Sequence, residues 1–163
     1  MSSLSHHFSD IEYIIGGRDD RAIVFIDANF SQWETLIQRV TPETRVIVIN
    51  PQANGINEIT KIMNASDCQT IYLVCRGVPG CLYLGNQELS LNTLIQHGSA
   101  IQSWFNADRS SSDTEVPKVY LYGCAAGVGD GGTEFITKLS SIVGATVTAS
   151  IEVSQNRTFN YED

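Results

Sequence analysis

Two stretches decide how this sequence folds: Thr70–Gly80, TIYLVCRGVPG, and Lys118–Gly127, KVYLYGCAAG. Each is a short run of β-branched, aliphatic and aromatic residues that ends abruptly in small ones. Runs of this kind, with no helical period, mark strands buried on both faces of a parallel sheet. Each also delivers one polar side chain at its end, Arg76 in the first and Cys124 in the second. Neighbouring parallel strands would bring these two side chains to one edge of the sheet.

Outward from these runs the same pattern repeats. Arg21–Ala28, RAIVFIDA, Arg45–Asn50, RVIVIN, and Ala145–Ser150 read as further strands. Helices are predicted between them. Ser31–Val40 opens on Ser31 and Glu34, an S-x-x-E capping box, and places Trp33, Leu36, Ile37 and Val40 at helical spacing before Thr41-Pro42. Ile56–Ala65 follows with Ile56, Ile59, Ile62 and Met63 on one face. Ser90–Phe105 reads as a longer helix with Leu94, Ile95, Ile101, Trp104 and Phe105 as its apolar positions, and Thr133–Val143 as the last. Gly85-Asn86, between Cys81–Leu84 and Gln87–Leu89, is a two-residue hairpin signal.

Strands alternating with helices predict an α/β fold: a three-layer sandwich with a mostly parallel, twisted sheet of 2-1-3-4-5 order, helices on both faces and an inserted β-hairpin. Residues 1–19 read as a polar leader with a short edge strand or lead-in at Ile11–Ile15. Residues 20–150 form the α/β domain, and 151–163 extend that domain. Asn106–Pro117 is polar and aperiodic, an exposed loop.

The length of 163 residues suits one domain, and no apolar run approaches the ~18 residues of a membrane span. A net charge of −8 gives no electrostatic reason to bind nucleic acid or an anionic membrane. The start, MSSLSHHFSD, has no basic segment followed by an apolar one, and His6-His7 read as solvent-exposed. The cysteines, Cys68, Cys75, Cys81 and Cys124, contain no CxxC pair. They read as free thiols of a reduced, cytoplasmic compartment, with a Cys75–Cys81 bridge as the alternative. No cofactor and no metal is called for.

Ligands of open parallel sheets bind at the carboxyl ends of the strands. Asp27 and Asn29 stand after strand one, Arg76 and Gly77 after strand three, and Gly123, Cys124 and Ala125 after strand four. Cys124 reads either as a nucleophile activated by backbone N–H groups or as a small buried hydrophobe. A nucleophilic cysteine needs a base, and the histidines are His6, His7 and His97, the last in mid-helix. Arg76 cannot serve, because a guanidinium stays protonated and accepts no hydrogen bond. It can stabilise a thiolate, bind a carboxylate, or pair with Asp27 across the strand ends. The glycines of residues 127–132 lack the Walker lysine and do not match GxGxxG. Asp130 among them has no second metal ligand in register.

At these residues the chain resembles a known family. FIDANF, VINPQANGINEITK, VCRGVPGCLYLGNQELSLNTL, VYLYGCAAGVGDGGTEFITKLS and GATVTAS are similar, in the same order, to an uncharacterised domain of cyanobacteria and proteobacteria. That domain is usually found at the N-termini of large secreted repeat proteins of haemolysin, cadherin-like or adhesin type. The large downstream region is absent here, which reads as a stand-alone short paralogue or an N-terminal fragment. The family in turn resembles the caspase, gingipain and separase clan of cysteine peptidases. The clan's base is a histidine followed by glycine after strand three, and its nucleophile a cysteine after strand four. Cys124 matches the nucleophile position, Asp27 an acidic position after strand one, and Gly77 the glycine, but Arg76 occupies the histidine position.

The resemblance therefore implies a caspase-like domain that has lost catalysis, a pseudopeptidase acting as a binding, scaffold or assembly module with a protein partner or as an oligomer. Asp27, Arg76, Gly123 and Ala125 are the expected binding residues. Two alternatives stand beside it: a cysteine peptidase, self-processing or acting on other chains, with Cys124 as nucleophile, and a small-anion or ligand-binding domain at the strand ends.

Overall fold

A computed structural model describes residues 22–105, 116–123 and 125–150. The leader with His6, His7 and Ile11–Ile15, residues 106–115 of the polar loop, Cys124 and residues 151–163 lie outside the described residues.

The central sheet is built from β1 (Ala22–Asp27), β2 (Arg45–Ile49), β3 (Thr70–Val74), β7 (Lys118–Tyr122) and β8 (Thr146–Ser150). Its order is β2-β1-β3-β7-β8, with every neighbouring pair parallel. Numbered among themselves, these strands run 2-1-3-4-5, as the alternation predicts. A second, antiparallel sheet of three strands inserts after β3: β4 (Gly77–Val78), β5 (Cys81–Leu84) and β6 (Gln87–Ser90).

Strand β1 explains why an unbroken apolar run is needed. Ile23 and Phe25 enter the larger core, while Val24 and Ile26 enter a smaller one on the opposite face. Both faces are sealed, so alternation with polar residues would bury unpaired polar groups. The smaller core is closed by α1 (Trp33–Ile37) through Leu36, with Val40 just beyond the helix. The larger core is covered by α2 (Gly55–Asn64), α3 (Gly98–Gln102) and α4 (Gly129–Val143), which supply Ile56, Ile59, Met63, Ile101, Phe135, Leu139 and Val143. Trp104 closes this layer, its indole N–H donating to Thr60 Oγ1 at 2.9 Å, so a large ring is buried without orphaning its polar atom.

Several predicted elements differ. The Ser31–Glu34 capping box does not form. The residue before α1, Gln32, is left-handed at φ 63°, with no side-chain cap. The chain coils at once after β1, where Phe30 N–H bonds the Asp27 carbonyl at 2.8 Å, and beyond Ile37 it tightens into i→i−3 bonds. The helix is therefore only five residues long. The run at 45–50 is an edge strand rather than a buried one: Arg45 is exposed and Val48 is 40 % exposed.

The helix expected over 90–105 reduces to α3, preceded by turns. Thr93 Oγ1 takes the Ser90 N–H at 2.9 Å and donates to the Glu88 carbonyl at 2.9 Å. Such local side-chain bonds compete with the helical ladder, and Gly98 weakens it further. Ile95, expected in the core, is 87 % exposed, and His97, expected in mid-helix, stands before the first turn of α3. The segment after Arg76 contributes β4 rather than a plain turn. The expected glycine loop shortens as well, because Gly129–Gly132 form the first turn of α4.

Phe25→Ala, at a position fully buried against the larger core, is expected to cost about 3–5 kcal/mol in urea unfolding. Val48→Thr, on the exposed edge, is expected to change stability by less than about 0.5 kcal/mol in the same assay.

Candidate functional site

Parallel register brings the predicted strand ends together. Ile26 pairs with Val74, and Val74 with Tyr122, so Asp27, Cys75-Arg76 and Gly123 follow at the same edge of the sheet. Pairing between β3 and β7 continues one residue further, through Cys75 N–H to the Tyr122 carbonyl at 3.4 Å. Beyond this edge the residues separate by use.

Asp27 is fully buried. One carboxylate oxygen accepts the Asn29 N–H at 2.8 Å, and the other accepts the Gly85 N–H at 2.8 Å. Gly85 is the first residue of the β5–β6 turn. It has φ +62°, and a Cβ there would lie 2.1 Å from the Ala53 carbonyl oxygen. Asn86 completes the attachment, its N–H bonding the Ala53 carbonyl at 2.8 Å and its side-chain amide the Gln52 carbonyl at 2.9 Å. The structure thus gives Asp27 a use different from the binding role expected of it: it holds the hairpin over the sheet edge. The pair expected between Asp27 and Arg76 is replaced by these backbone bonds.

Arg76 is exposed. Its carbonyl accepts the Tyr83 N–H at 3.0 Å, and its guanidinium carbon stands 5.5 Å above the centre of the Tyr83 ring. This cation–π contact is worth about 0.5–1 kcal/mol at an exposed site. Gly77 pairs with Leu82 in the small sheet. The other end of the hairpin is tied down as well: Gly80 N–H donates to the Ala126 carbonyl at 2.8 Å, linking the end of β4 to the segment after β7.

Gly123, half-buried with φ 78°, and half-buried Ala125 flank position 124 at the end of β7. The glycines after them serve packing. A Cβ on Gly132 would meet the Gly127 carbonyl carbon at 2.3 Å, so the first turn of α4 can sit against the preceding loop only without a side chain there. Asp130 is exposed on that turn. Among the described residues, no group of three His, Cys, Asp or Glu could hold a metal, and no helix is long and apolar enough to cross a membrane.

Cys68, Cys75 and Cys81 are buried, and no bridge joins Cys75 to Cys81. Burial pushes the Cys81 thiol above its ordinary value, opposed by the neighbouring Tyr83 side chain and reinforced by Glu88. On the opposite face of the central sheet from α2, Tyr72, Tyr120 and Tyr122 stack with centroids 5.0 to 6.3 Å apart. Burial, then Tyr120, raises the Tyr122 hydroxyl.

Sequence reasoning missed Tyr83 and Glu88, which flank the hairpin's outer side. The signal was present in the period-two pattern of the hairpin, where Leu82, Leu84 and Leu89 alternate with Tyr83 and Glu88. It missed Gly85 as the partner of Asp27 because the two lie 58 residues apart.

The strand order and this edge define an open parallel α/β domain with a hairpin strapped across its carboxyl ends. Residues 23–159 match the family model described as a domain of unknown function, DUF4347, and the chain belongs to that family. No curated protein and no solved structure matches it.

Asp27→Asn leaves one of two buried N–H donors facing an amide NH2 and is expected to destabilise by about 1–3 kcal/mol in thermal or urea unfolding. Gly85→Ala, which meets both the positive φ and the Ala53 carbonyl, is expected to cost more than Asp27→Asn in the same assay.

Proposed function

We propose that this domain is a catalytically inert relative of the caspase-like cysteine peptidases that works as a binding or assembly module for a protein partner at the carboxyl edge of β3 and β7. One observation carries the reading: Arg76, after β3 and before Gly77, holds the position where that clan keeps its base histidine, and its guanidinium lies on Tyr83.

The fold class supports the comparison. The parallel order 2-1-3-4-5 puts the Arg76 end of β3 beside the β7 end that leads to position 124. An arginine there carries charge but cannot take a proton from a thiol. Loss of a positioned general base typically costs ~10²–10⁴-fold in rate. Of the described histidines, His97 belongs to the start of α3 in the helical layer, not to a strand end. The second feature the clan comparison drew on, the acid after strand one, is spent on the hairpin. What remains at the edge suits recognition: a cation on an aromatic ring, and exposed Val78 and Val128 on either side of the Gly80–Ala126 link. The resemblance to N-terminal domains of large repeat proteins fits an assembly role of this kind.

The test is alkylation by neutral iodoacetamide across pH, mapped by mass spectrometry on the parent and on Arg76→His. Cys81, whose thiol is raised by burial, serves as the slow internal control. In the parent, Cys124 is expected to gain reactivity only in the ordinary thiol range, near ~8.5. Arg76→His is expected to add an ionisation near neutrality and speed alkylation there. A parent that already reacts rapidly at neutral pH and cleaves peptide substrates would overturn the inert reading in favour of a live nucleophile.

A further inference from the structure

The outer face of the small sheet carries a row of side chains that the fold turns outward. Tyr83 stands directly opposite Glu88 across β5 and β6. On its other side, the Tyr83 N–H bonds the Arg76 carbonyl at 3.0 Å, and the Arg76 guanidinium lies over the ring. Directly paired residues share a face, and successive residues along a strand point to opposite faces. Arg76, Tyr83 and Glu88 therefore form one cross-strand row, on the side away from fully buried Leu82 and Leu89. Arg76 and Glu88 are exposed and Tyr83 is half-exposed. The neighbouring row opens at Val78, 49 % exposed, and closes at buried Cys81 and Ser90.

At the usual strand spacing, the backbone positions of the cation and the anion lie roughly 10 Å apart, on either side of the ring. A row of cation, aromatic and anion is complementary to itself under one operation. A twofold axis parallel to β5 through Tyr83 lays one ring on the other and sets each Arg76 over Glu88 of the other copy. A twofold along the row would instead set Arg76 over Arg76. We propose that this face is a self-association surface, and that its occupant is a second copy of this chain in the first arrangement.

Charge complementarity favours that occupant over others. A lone anion seeking Arg76 meets Glu88 in the same row, and a partner surface of one sign meets a like charge at one end of it. The small sheet has three strands of two to four residues, so the association is expected to be weak and concentration-dependent. The inference goes beyond the inert-module reading and holds whether or not Cys124 is reactive.

Sedimentation velocity on the full chain, from micromolar to millimolar concentration at physiological salt, tests it. The parent is expected to pass from monomer toward dimer as concentration rises. Arg76→Glu and Glu88→Arg are each expected to weaken association at least ~10-fold through like-charge contacts, and the double reversal to restore it. Both side chains are exposed, and urea unfolding midpoints verify that each variant is folded; Arg76→Gln and Glu88→Gln are the milder pair, each expected to weaken association less. A parent that stays monomeric at millimolar concentration overturns the proposal. So does a dimer that the single reversals leave intact or the double reversal fails to restore.

Discussion

The carboxylate of Asp27 governs how the carboxyl edge of this domain is built. It ends β1 with no exposed surface, and its two oxygens take the N–H groups of Asn29 and Gly85. A buried carboxylate is tolerable only when donors of this kind replace water. The bond to Asn29 starts the turn that leads into α1. The bond to Gly85 reaches across 58 residues and fixes the tip of the β5–β6 hairpin on the sheet. Gly85 must lack a side chain for the approach, because the Ala53 carbonyl occupies the space a Cβ would need.

From that anchor the rest of the edge follows. The β5–β6 turn is held to β1 and to the loop before α2, while the β4–β5 turn is held to Ala126 after β7. The small sheet is thus strapped at both ends. In open parallel sheets the crevice beside the first strand is the usual ligand place. Here the chain's own hairpin turn bonds the fully buried Asp27 at that strand's end. The β3 and β7 side and the hairpin's outer face stay open, where Arg76, Val78, Tyr83 and Val128 reach solvent.

Much of the fold was legible because burial on both faces leaves a plain mark. RAIVFIDA and TIYLVC admit no polar residue until the strand ends, and the helices between them force parallel crossovers. The hairpin was legible at Gly85-Asn86 for the same local reason. Ser90–Phe105 was less so: its apolar spacing suits a helix, but Thr93 offers the backbone a competing set of bonds that spacing does not register. RVIVIN carries no sign that β2 lies at an edge, because position in a sheet is a property of the whole order. Asp27 was the hardest to read. An acid after a first strand looks the same in sequence whether it meets a ligand or a backbone amide 58 residues away.

Arg76 shows how little the fold asks of one side chain at the end of β3. The bonds that place residue 76 are made by its main chain: the carbonyl holds Tyr83, and the preceding Cys75 N–H extends the pairing of β3 with β7. Nothing in that backbone network depends on which side chain position 76 carries. The side chain is free to lie outward on Tyr83, where it adds a modest cation–π contact and a charge to the hairpin's outer row. Exchange of guanidinium for imidazole at this position would change whether the side chain can accept a proton, and not the backbone bonds that hold strand register and hairpin. Its place beside Tyr83 also makes it one end of the row Arg76, Tyr83 and Glu88 on the hairpin's outer face.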